Sequence, residues 1–218
     1  MIAFFSDIHG NKSALAAAIE DARRRGAQRF VCLGDIGGSE CLDLLREVRA
    51  ECVFGNWEVS GWHRYAVRHH EWVCSWPPVL YDTSWVAAHA SPSWPSEVQN
   101  VTEAASYRAR HHLPWLSLFP ALDVDESARW DALAVLETLS VPIGLHGHTH
   151  IQAIWHWRPD GRLIARQESE VPISDDGSRY LVGVGSVGDP RDGDGICYAL
   201  LDDSLVLRLI RLPSASKP

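Results

Sequence analysis

Residues 2–11 of the chain, IAFFSDIHGN, join a short apolar run to a carboxylate and an imidazole. The run from Ile2 to Phe5 is typical of a buried strand, and in α/β proteins chemistry collects just beyond the carboxyl ends of strands. Because residues i and i+2 of an extended segment share one side, we expect Asp7 and His9 to reach a common ion while Ile8 turns back into the core. An isolated Asp-x-His triplet is more often an ordinary surface loop, so a metal site requires partners elsewhere in the chain.

The residues that follow predict a β-α-β unit with parallel strands. Apolar side chains recur at helical spacing within residues 12–25, Asn11 is a candidate N-cap, and Gly26 closes the helix. Arg29 to Leu33 predicts a second strand that ends at Gly34-Asp35. Acidic side chains therefore follow two neighbouring strands.

This arrangement of polar residues after strands continues along the chain. Ser39 is a candidate cap for a second helix, and residues 51–54 predict a strand that ends in the sequence GNWE, residues 55–58. A further strand, residues 84–88, stops at His89. Each predicted strand end again delivers a polar side chain.

The second half of the chain has fewer predicted helices and more predicted short strands than the first. Periodicity weakens over about residues 90–125, where prolines recur and one helix is predicted near 102–111, so we interpret this segment as a lid-like insertion. A helix through residues 132–139 and a strand through 141–145 lead into the sequence HGHTH, residues 146–150. The remainder predicts short strands at residues 151–157, 163–167, 181–184, 196–201 and 205–210.

Composition limits the class of protein. The 218 residues, 46% of them hydrophobic, predict a single domain over residues 1–212 followed by a flexible tail at 213–218. The net charge of −8 disfavours nucleic acid as a partner, and no run approaches the roughly 20 apolar residues that span a membrane. An odd number of cysteines, five, argues against a secreted disulfide framework, so we expect a cytoplasmic protein.

The predicted strand ends supply more metal ligands than one ion needs. Seven nitrogen or oxygen ligands stand there: Asp7, His9, Asp35, Asn56, His89, His148 and His150. A carboxylate can bridge, so the economical arrangement is two divalent ions about 3.5 to 4 Å apart that share Asp35. The ligand types suit Mn, Fe, Zn or similar ions and do not by themselves identify the metal.

These blocks resemble the calcineurin-like metallophosphoesterases, whose pattern is Asp-x-His, Gly-Asp, Gly-Asn-His-Asp/Glu, a lone His and Gly-His-x-His. The segment GSVGDPRD, residues 185–192, resembles the Gly-Ser-Val-Gly-x-Pro-Arg segment of the small bacterial phosphodiesterase branch. The resemblance covers nearly the whole chain. It implies an α/β (α+β) fold, a four-layer αββα sandwich of two mixed β-sheets flanked by helices.

The resemblance also implies roles for the seven ligands. It assigns one metal to Asp7, His9 and His150, the other metal to Asn56, His89 and His148, and the bridging position to Asp35. Asp35, Asn56 and His89 are thereby candidate catalytic residues. The implied cofactors are two divalent metal ions, Mn²⁺ first, with Fe, Zn, Ni or Mg as alternatives. The implied reaction is attack on phosphorus by a hydroxide bound to the binuclear metal centre.

One position departs from the family pattern. Trp57 replaces the histidine that resembles a general acid, and an indole cannot donate that proton. Other members of the small phosphodiesterase branch also lack this histidine, so the departure resembles a subfamily trait. A phosphoanhydride or an activated diester, which releases a good leaving group, suits the chain better than an alkyl monoester. Hydrolysis of phosphoproteins is correspondingly disfavoured.

Further residues are weighed as substitutes or as substrate contacts. Five histidines are candidate substitute acids, although each is more often simply solvated: His63, His69, His70, His111 and His112. Asn11 either orients the attacked phosphate or caps a helix, and Arg191 either grips phosphate or pairs with a neighbouring acid. Trp57 is a candidate platform for a nucleobase.

The predicted protein is therefore a metal-dependent phosphoesterase that hydrolyses phosphodiester or nucleotide phosphoanhydride bonds. Its expected partner is a small phosphorylated, nucleotide-like substrate, with neither a membrane nor a nucleic acid. The alternatives are a phosphomonoesterase, or a non-catalytic scaffold protein on the same fold. Seven retained ligands weigh against the scaffold.

Overall fold

Twelve strands and seven α-helices make up the computed structural model, which describes residues 1–213. In chain order the strands are β1 (Ile2–Phe5), β2 (Arg29–Cys32), β3 (Glu51–Cys52), β4 (Val79–Tyr81), β5 (Trp85–Ala88), β6 (Ile143–His146), β7 (Gln152–Trp157), β8 (Leu163–Arg166), β9 (Glu170–Pro172), β10 (Arg179–Val184), β11 (Ile196–Leu201) and β12 (Val206–Leu212). The helices are α1 (Lys12–Arg24), α2 (Ser39–Glu47), α3 (Asn56–Gly61), α4 (His70–Cys74), α5 (Val101–His111), α6 (Trp115–Leu118) and α7 (Glu126–Leu139). Single turns of 3-10 helix lie at Trp62–Arg64 and Val67–His69.

The strands form two mixed sheets of six strands each. The first sheet has the order β3-β2-β1-β11-β12-β9, and the second has the order β4-β5-β6-β10-β7-β8. Strands β1, β2 and β3 are parallel in the first sheet, as are β5, β6 and β10 in the second. The remaining pairs are antiparallel. Each sheet therefore has one cluster of parallel strands whose carboxyl ends lie side by side.

Successive side chains of a strand point to opposite faces of the sheet and therefore pack in different apolar layers. Phe4 packs between the two sheets with Trp85 and Tyr180, whereas Phe5 faces α1 and packs with Leu15 and its neighbours. On the other side of the molecule, α7 packs on the second sheet. The order of layers is helices, first sheet, second sheet, helix. The predicted four-layer αββα sandwich is confirmed.

The structure confirms one predicted helix cap, corrects another and adds two short strands. Asn11 caps α1 as predicted, because its Oδ1 accepts a hydrogen bond from the Ala14 backbone N–H at 3.1 Å. The prediction that Ser39 caps α2 is wrong: Gly38 occupies the N-cap, and the Ser39 hydroxyl instead accepts from the Ala66 N–H at 2.8 Å. The three-residue strands β4 and β9 are not predicted from the sequence, because each is too short to show an alternating pattern of apolar and polar residues.

The predicted insertion, residues 90–125, contains α5 and α6 and is anchored by fully buried Phe119 and Leu122. Its function as a lid stays a prediction. Of the predicted tail at 213–218, residues 214–218 lie outside the described residues. Among the helices of residues 1–213, none combines the length and apolar character needed to cross a bilayer.

Candidate metal centre

Loops from both sheets meet at the carboxyl ends of the parallel strands. The His148 backbone N–H donates to Asp7 Oδ2 at 2.9 Å, which ties the loop after β6 to the loop after β1. His89, directly after β5, donates from Nδ1 to the Leu33 carbonyl after β2 at 2.6 Å. These cross-sheet hydrogen bonds bring together the predicted ligands, which lie far apart in the sequence.

The loops that carry the ligands have an unusual backbone. Nine non-glycine residues within residues 1–213 have positive φ, and five of them are predicted ligands: Asp7, His9, Asp35, His148 and His150. A left-handed conformation costs a non-glycine residue about 1 to 2 kcal/mol, and such outliers cluster at functional sites. The expectation that Asp7 and His9 align because they continue an extended strand is therefore wrong. Their φ values are 51° and 49°, and a left-handed loop brings both side chains to the site.

One half of the site is built around Asp7, which is fully buried. Its Oδ1 has no hydrogen-bond partner within the described residues and lies 3.3 Å from Nε2 of His150. The His150 ring is oriented by the Asp189 carbonyl, 2.5 Å from Nδ1, and its Nε2 lies 3.1 Å from Nε2 of His9. One carboxylate oxygen and two imidazole nitrogens thus converge on one point. That donor set suits a divalent transition-metal ion.

The other half of the site is built around His89, which is 1% exposed. Nδ1 of His89 donates to the Leu33 carbonyl, so in the neutral ring Nε2 carries a lone pair, and this nitrogen faces Asn56 Oδ1 at 3.1 Å and Asp35 Oδ2 at 3.6 Å. Facing lone pairs repel unless a cation lies between them. His148 lies beside this group, with its ring centroid 5.1 Å from that of His89. Donor atoms of Asp7, Asp35 and His89 all lie within 4.8 Å of one another, so the two halves are contiguous.

The electrostatics of the site favour added positive charge. Burial and the carboxylates of Glu58 and Asp7 raise the pKa of Asp35 well above its usual value. Burial and the neighbouring His89 lower the pKa of His148 to about 3, which leaves this imidazole neutral and able to bind metal. Burial lowers the pKa of His150, but the nearby Asp7 carboxylate and the Asp189 carbonyl raise it overall. A cation beside Asp7, whether a proton or a metal ion, is thereby stabilised.

Glu58 supports the site, although sequence patterns do not predict this role. It is fully buried, its Oε2 accepts from the N–H groups of Asp35 and Gly55, both at 2.8 Å, and its Oε1 accepts from the Ile36 N–H at 3.1 Å and the Tyr65 hydroxyl at 2.5 Å. It therefore locks the loop after β2 to the start of α3. The signal for this role is a glutamate three residues after the N-cap, which is the acidic half of a capping box.

Trp57 stands at the mouth of the site. Its backbone N–H donates to Asp35 Oδ1 at 2.8 Å, and its indole ring meets the His9 ring edge-on, with centroids 4.4 Å apart. The side chain is 46% exposed. The turn before it needs glycine, because a Cβ at Gly55 would lie 2.2 Å from Asp35 Oδ1. A wide, fixed aromatic surface thus borders the predicted ligands.

The predicted substrate residues do not all face the same space. A cleft of about 570 Å³ is lined by His9, Asp35, Asn56, Trp57, Leu116, Ala121, Asp123, Val124, His148, Thr149, His150, Asp189 and Arg191. Arg191 and Trp57 therefore face the cleft, and Asp192 forms its ion pair with Arg211, at 2.7 Å, rather than with Arg191. Asn11 does not line the cleft; its Nδ2 lies 3.5 Å from the Gly188 carbonyl, and its Oδ1 caps α1. The candidate substitute acids also lie outside the lining: His63, His69, His70, His111 and His112.

Comparison with known proteins agrees with the motif blocks. The family model described as the calcineurin-like phosphoesterase superfamily domain matches residues 1–204. An uncharacterized protein of Methanocaldococcus jannaschii is 28% identical over 233 residues, covering 93% of this chain and 83% of that relative. The crystal structure of a metallophosphoesterase from Sphaerobacter thermophilus superposes with a TM-score of 0.63 at 25% identity, covering 97% of this chain and 87% of that one. A novel archaeal phosphodiesterase shares the fold, with a TM-score of 0.50 at 15% identity over 97% of this chain and 99% of that one.

Proposed function

The chain belongs to the calcineurin-like phosphoesterase superfamily, as its motif blocks predict, and we propose that it hydrolyses phosphodiester or nucleotide phosphoanhydride bonds with two divalent metal ions. The observation that carries this proposal is the buried Asp7 Oδ1, which lacks a hydrogen-bond partner within the described residues and faces imidazole nitrogens. A non-catalytic scaffold would have no need to keep such a costly arrangement.

The proposed ligand sets follow the two halves of the site. Asp7, His9 and His150 would hold one ion, Asn56, His89 and His148 would hold the other, and Asp35 would contribute to both sets. When bound, such a metal pair acidifies water and neutralises phosphoryl oxygens. We propose Mn²⁺ as the first metal to test, since nitrogen and oxygen ligands also accept Fe, Zn, Ni and Mg.

The chain's own residues prepare this chemistry by fixing ring orientations. The Leu33 carbonyl holds the Nδ1 proton of His89, and the Asp189 carbonyl does the same for His150, so that Nε2 of each ring faces the site. Carbonyl partners of this kind fix the tautomer of a ligating histidine and raise its basicity. Glu58 holds Asp35 in place through the backbone. Arg191 lines the cleft, and we propose that its guanidinium binds a phosphoryl oxygen.

Trp57 narrows the proposed substrate class. Apart from proposed metal ligands, no histidine lines the cleft within residues 1–213, so a leaving group receives no proton from an imidazole acid there. A substrate that leaves without protonation suits this site. We therefore favour activated diesters and nucleotide phosphoanhydrides over alkyl monoesters, and we propose a small nucleotide-like substrate.

The test compares a diester with a monoester that has the same leaving group. Protein purified without chelator is analysed for metal and then assayed with added Mn²⁺ on bis-p-nitrophenyl phosphate and on p-nitrophenyl phosphate. We expect faster turnover of the diester. Faster turnover of the monoester would assign a phosphomonoesterase, and no turnover of either substrate by metal-loaded protein would assign a scaffold.

A further inference from the structure

Exposed apolar side chains concentrate around the cleft. Seven large hydrophobic side chains are exposed in residues 1–213, and three of them line this cleft: Trp57, Leu116 and Val124. Leu116 is 68% exposed and Val124 is 77% exposed. Single exposed hydrophobic residues are ordinary, but a cluster around a concave site is typical of ligand binding.

Leu116 and Val124 are held in place by buried neighbours. Leu116 belongs to α6, whose Leu118 is buried, and Phe119 packs its ring 5.7 Å from that of His89. Leu122, two residues before Val124, is fully buried under α7. The segment therefore has an inner face that packs into the core. Leu116 and Val124 form its outer face, towards the cleft.

The cleft has two chemically distinct parts. His9, Asp35 and His148, with the ions they would hold, make up the charged part, and we call the exposed apolar side chains of Trp57, Leu116 and Val124 the apolar rim. A ligand that consists of phosphate groups alone would fill the charged part and leave the rim in water. A ligand that joins a phosphate to a flat apolar group would cover both.

The rim favours a nucleobase over an acyl chain. An indole stacks on any base, and aliphatic side chains pack against the faces of planar rings. Asp123 and Asp189 also line the cleft, and their carboxylates would accept the N–H groups of a base. An acyl chain has no N–H group to offer to either carboxylate.

We propose that Trp57, Leu116 and Val124 form an apolar rim that binds the nucleobase of a nucleotide substrate. This inference rests on the proposed phosphoesterase function and makes its substrate class specific. The segment at 116–124 becomes a specificity element, because it supplies two of the three rim residues. The rim binds the part of the substrate that does not react.

The experiment isolates the base from the phosphate. Full-length protein loaded with Mn²⁺ is titrated calorimetrically with AMP, ribose 5-phosphate and octyl phosphate. Stacking on Trp57 together with packing against Leu116 and Val124 predicts that AMP binds about tenfold more tightly than ribose 5-phosphate. In the double variant Leu116→Ser/Val124→Ser we expect this difference to shrink severalfold, while the affinity for ribose 5-phosphate stays unchanged and reports an intact charged part.

The matched control is Val67→Ser, which replaces an 81% exposed valine outside the cleft and should keep the full difference between AMP and ribose 5-phosphate. Equal affinity of the wild-type protein for AMP and ribose 5-phosphate, absence of AMP binding, or a full difference in the double variant would overturn the rim. Tighter binding of octyl phosphate than AMP would assign the rim to an acyl chain instead. Diester hydrolysis without a base-dependent difference removes the rim alone, whereas a base-dependent difference without hydrolysis removes the proposed function alone.

Discussion

Asp7 and Asp21 are both buried carboxylates, but they obtain their partners differently. Asp21, on α1, accepts hydrogen bonds from Arg25 Nε and from the Tyr198 hydroxyl, both at 2.6 Å. Asp7 accepts one backbone N–H at Oδ2, and its Oδ1 faces the ring nitrogens of His9 and His150. Side chains of the protein itself supply the hydrogen bonds of the Asp21 carboxylate. The surroundings of Asp7 leave room for a cation from outside the chain.

Glu58 sharpens this contrast because it lies within the candidate site and yet resembles Asp21. Both of its oxygens accept hydrogen bonds, three from backbone N–H groups and one from Tyr65. Proximity to the site therefore does not separate a supporting carboxylate from a ligating one. The two kinds of carboxylate differ in whether both of their oxygens accept hydrogen bonds from the protein.

The largest expected effect concerns Asp7. Asp7→Asn keeps the shape of the side chain but removes the charge, and metal activation is worth several kcal/mol, so kcat on bis-p-nitrophenyl phosphate should fall by about 10³-fold. The matched variant Asp21→Asn should keep the wild-type kcat, because Asp21 lies on α1 and bonds to Arg25 and Tyr198 rather than to a proposed metal ligand. Retained activity in Asp7→Asn would contradict the ligand role.

The second prediction tests whether Glu58 behaves as a structural carboxylate. Glu58→Gln turns an amide N–H₂ towards buried donors, and unsatisfied buried groups each cost about 1 to 3 kcal/mol, so the free energy of unfolding in urea should fall by about 3 kcal/mol. The control Glu40→Gln changes an exposed carboxylate that pairs with Lys12 and should shift stability by less than about 0.5 kcal/mol. An equal effect of the two substitutions would show that the Glu58 hydrogen bonds contribute little.

Sequence patterns predict the framework better than the loops between its elements. The continuous apolar runs of β1 and β2, which are buried on both faces, and the helical period of α1 suffice to predict the parallel unit. The positions of Asp7 and Asp35 just beyond the carboxyl ends of β1 and β2 suffice to place them together. Their left-handed backbones could not be derived from side-chain spacing, since tertiary contacts impose them.

Side chains whose partners come from distant segments could not be assigned from local sequence patterns. The role of Glu58 depends on three N–H groups from two separate segments, and no periodicity reports such a meeting. Ser39 has the residue type of an N-cap, but the loop before α2 offers Gly38 for that position and leaves Ser39 to bond with Ala66. Local preference yields here to a tertiary contact.

The third prediction uses ligand-linked stability to separate the two carboxylates. Mn²⁺ at 100 times its dissociation constant should stabilise metal-free wild-type protein by about 2.7 kcal/mol, measured by urea unfolding. Asp21→Asn should show the same gain from a lower starting stability. Asp7→Asn should lose most of the gain. A full gain in Asp7→Asn would place the metal elsewhere.

The smallest expected effect concerns the pH dependence of Asp21. Burial alone would raise the pKa of this carboxyl, but the hydrogen bonds from Tyr198 and Arg25 outweigh it and lower the pKa overall. A depressed folded pKa contributes stability above the unfolded value of about 3.9 and loses it as the pH falls through the folded pKa. Asp21→Asn should therefore cost about 1 kcal/mol at neutral pH.

The same difference should shrink as the pH falls below about 4, because the protonated wild-type carboxyl then resembles the amide. Urea unfolding of both proteins in chelator at neutral pH and at the lowest pH where each remains folded measures the change. The chelator keeps metal binding at Asp7 from adding its own pH dependence. A stability difference that is independent of pH would mean that packing around Asp21, rather than its charge, accounts for the loss.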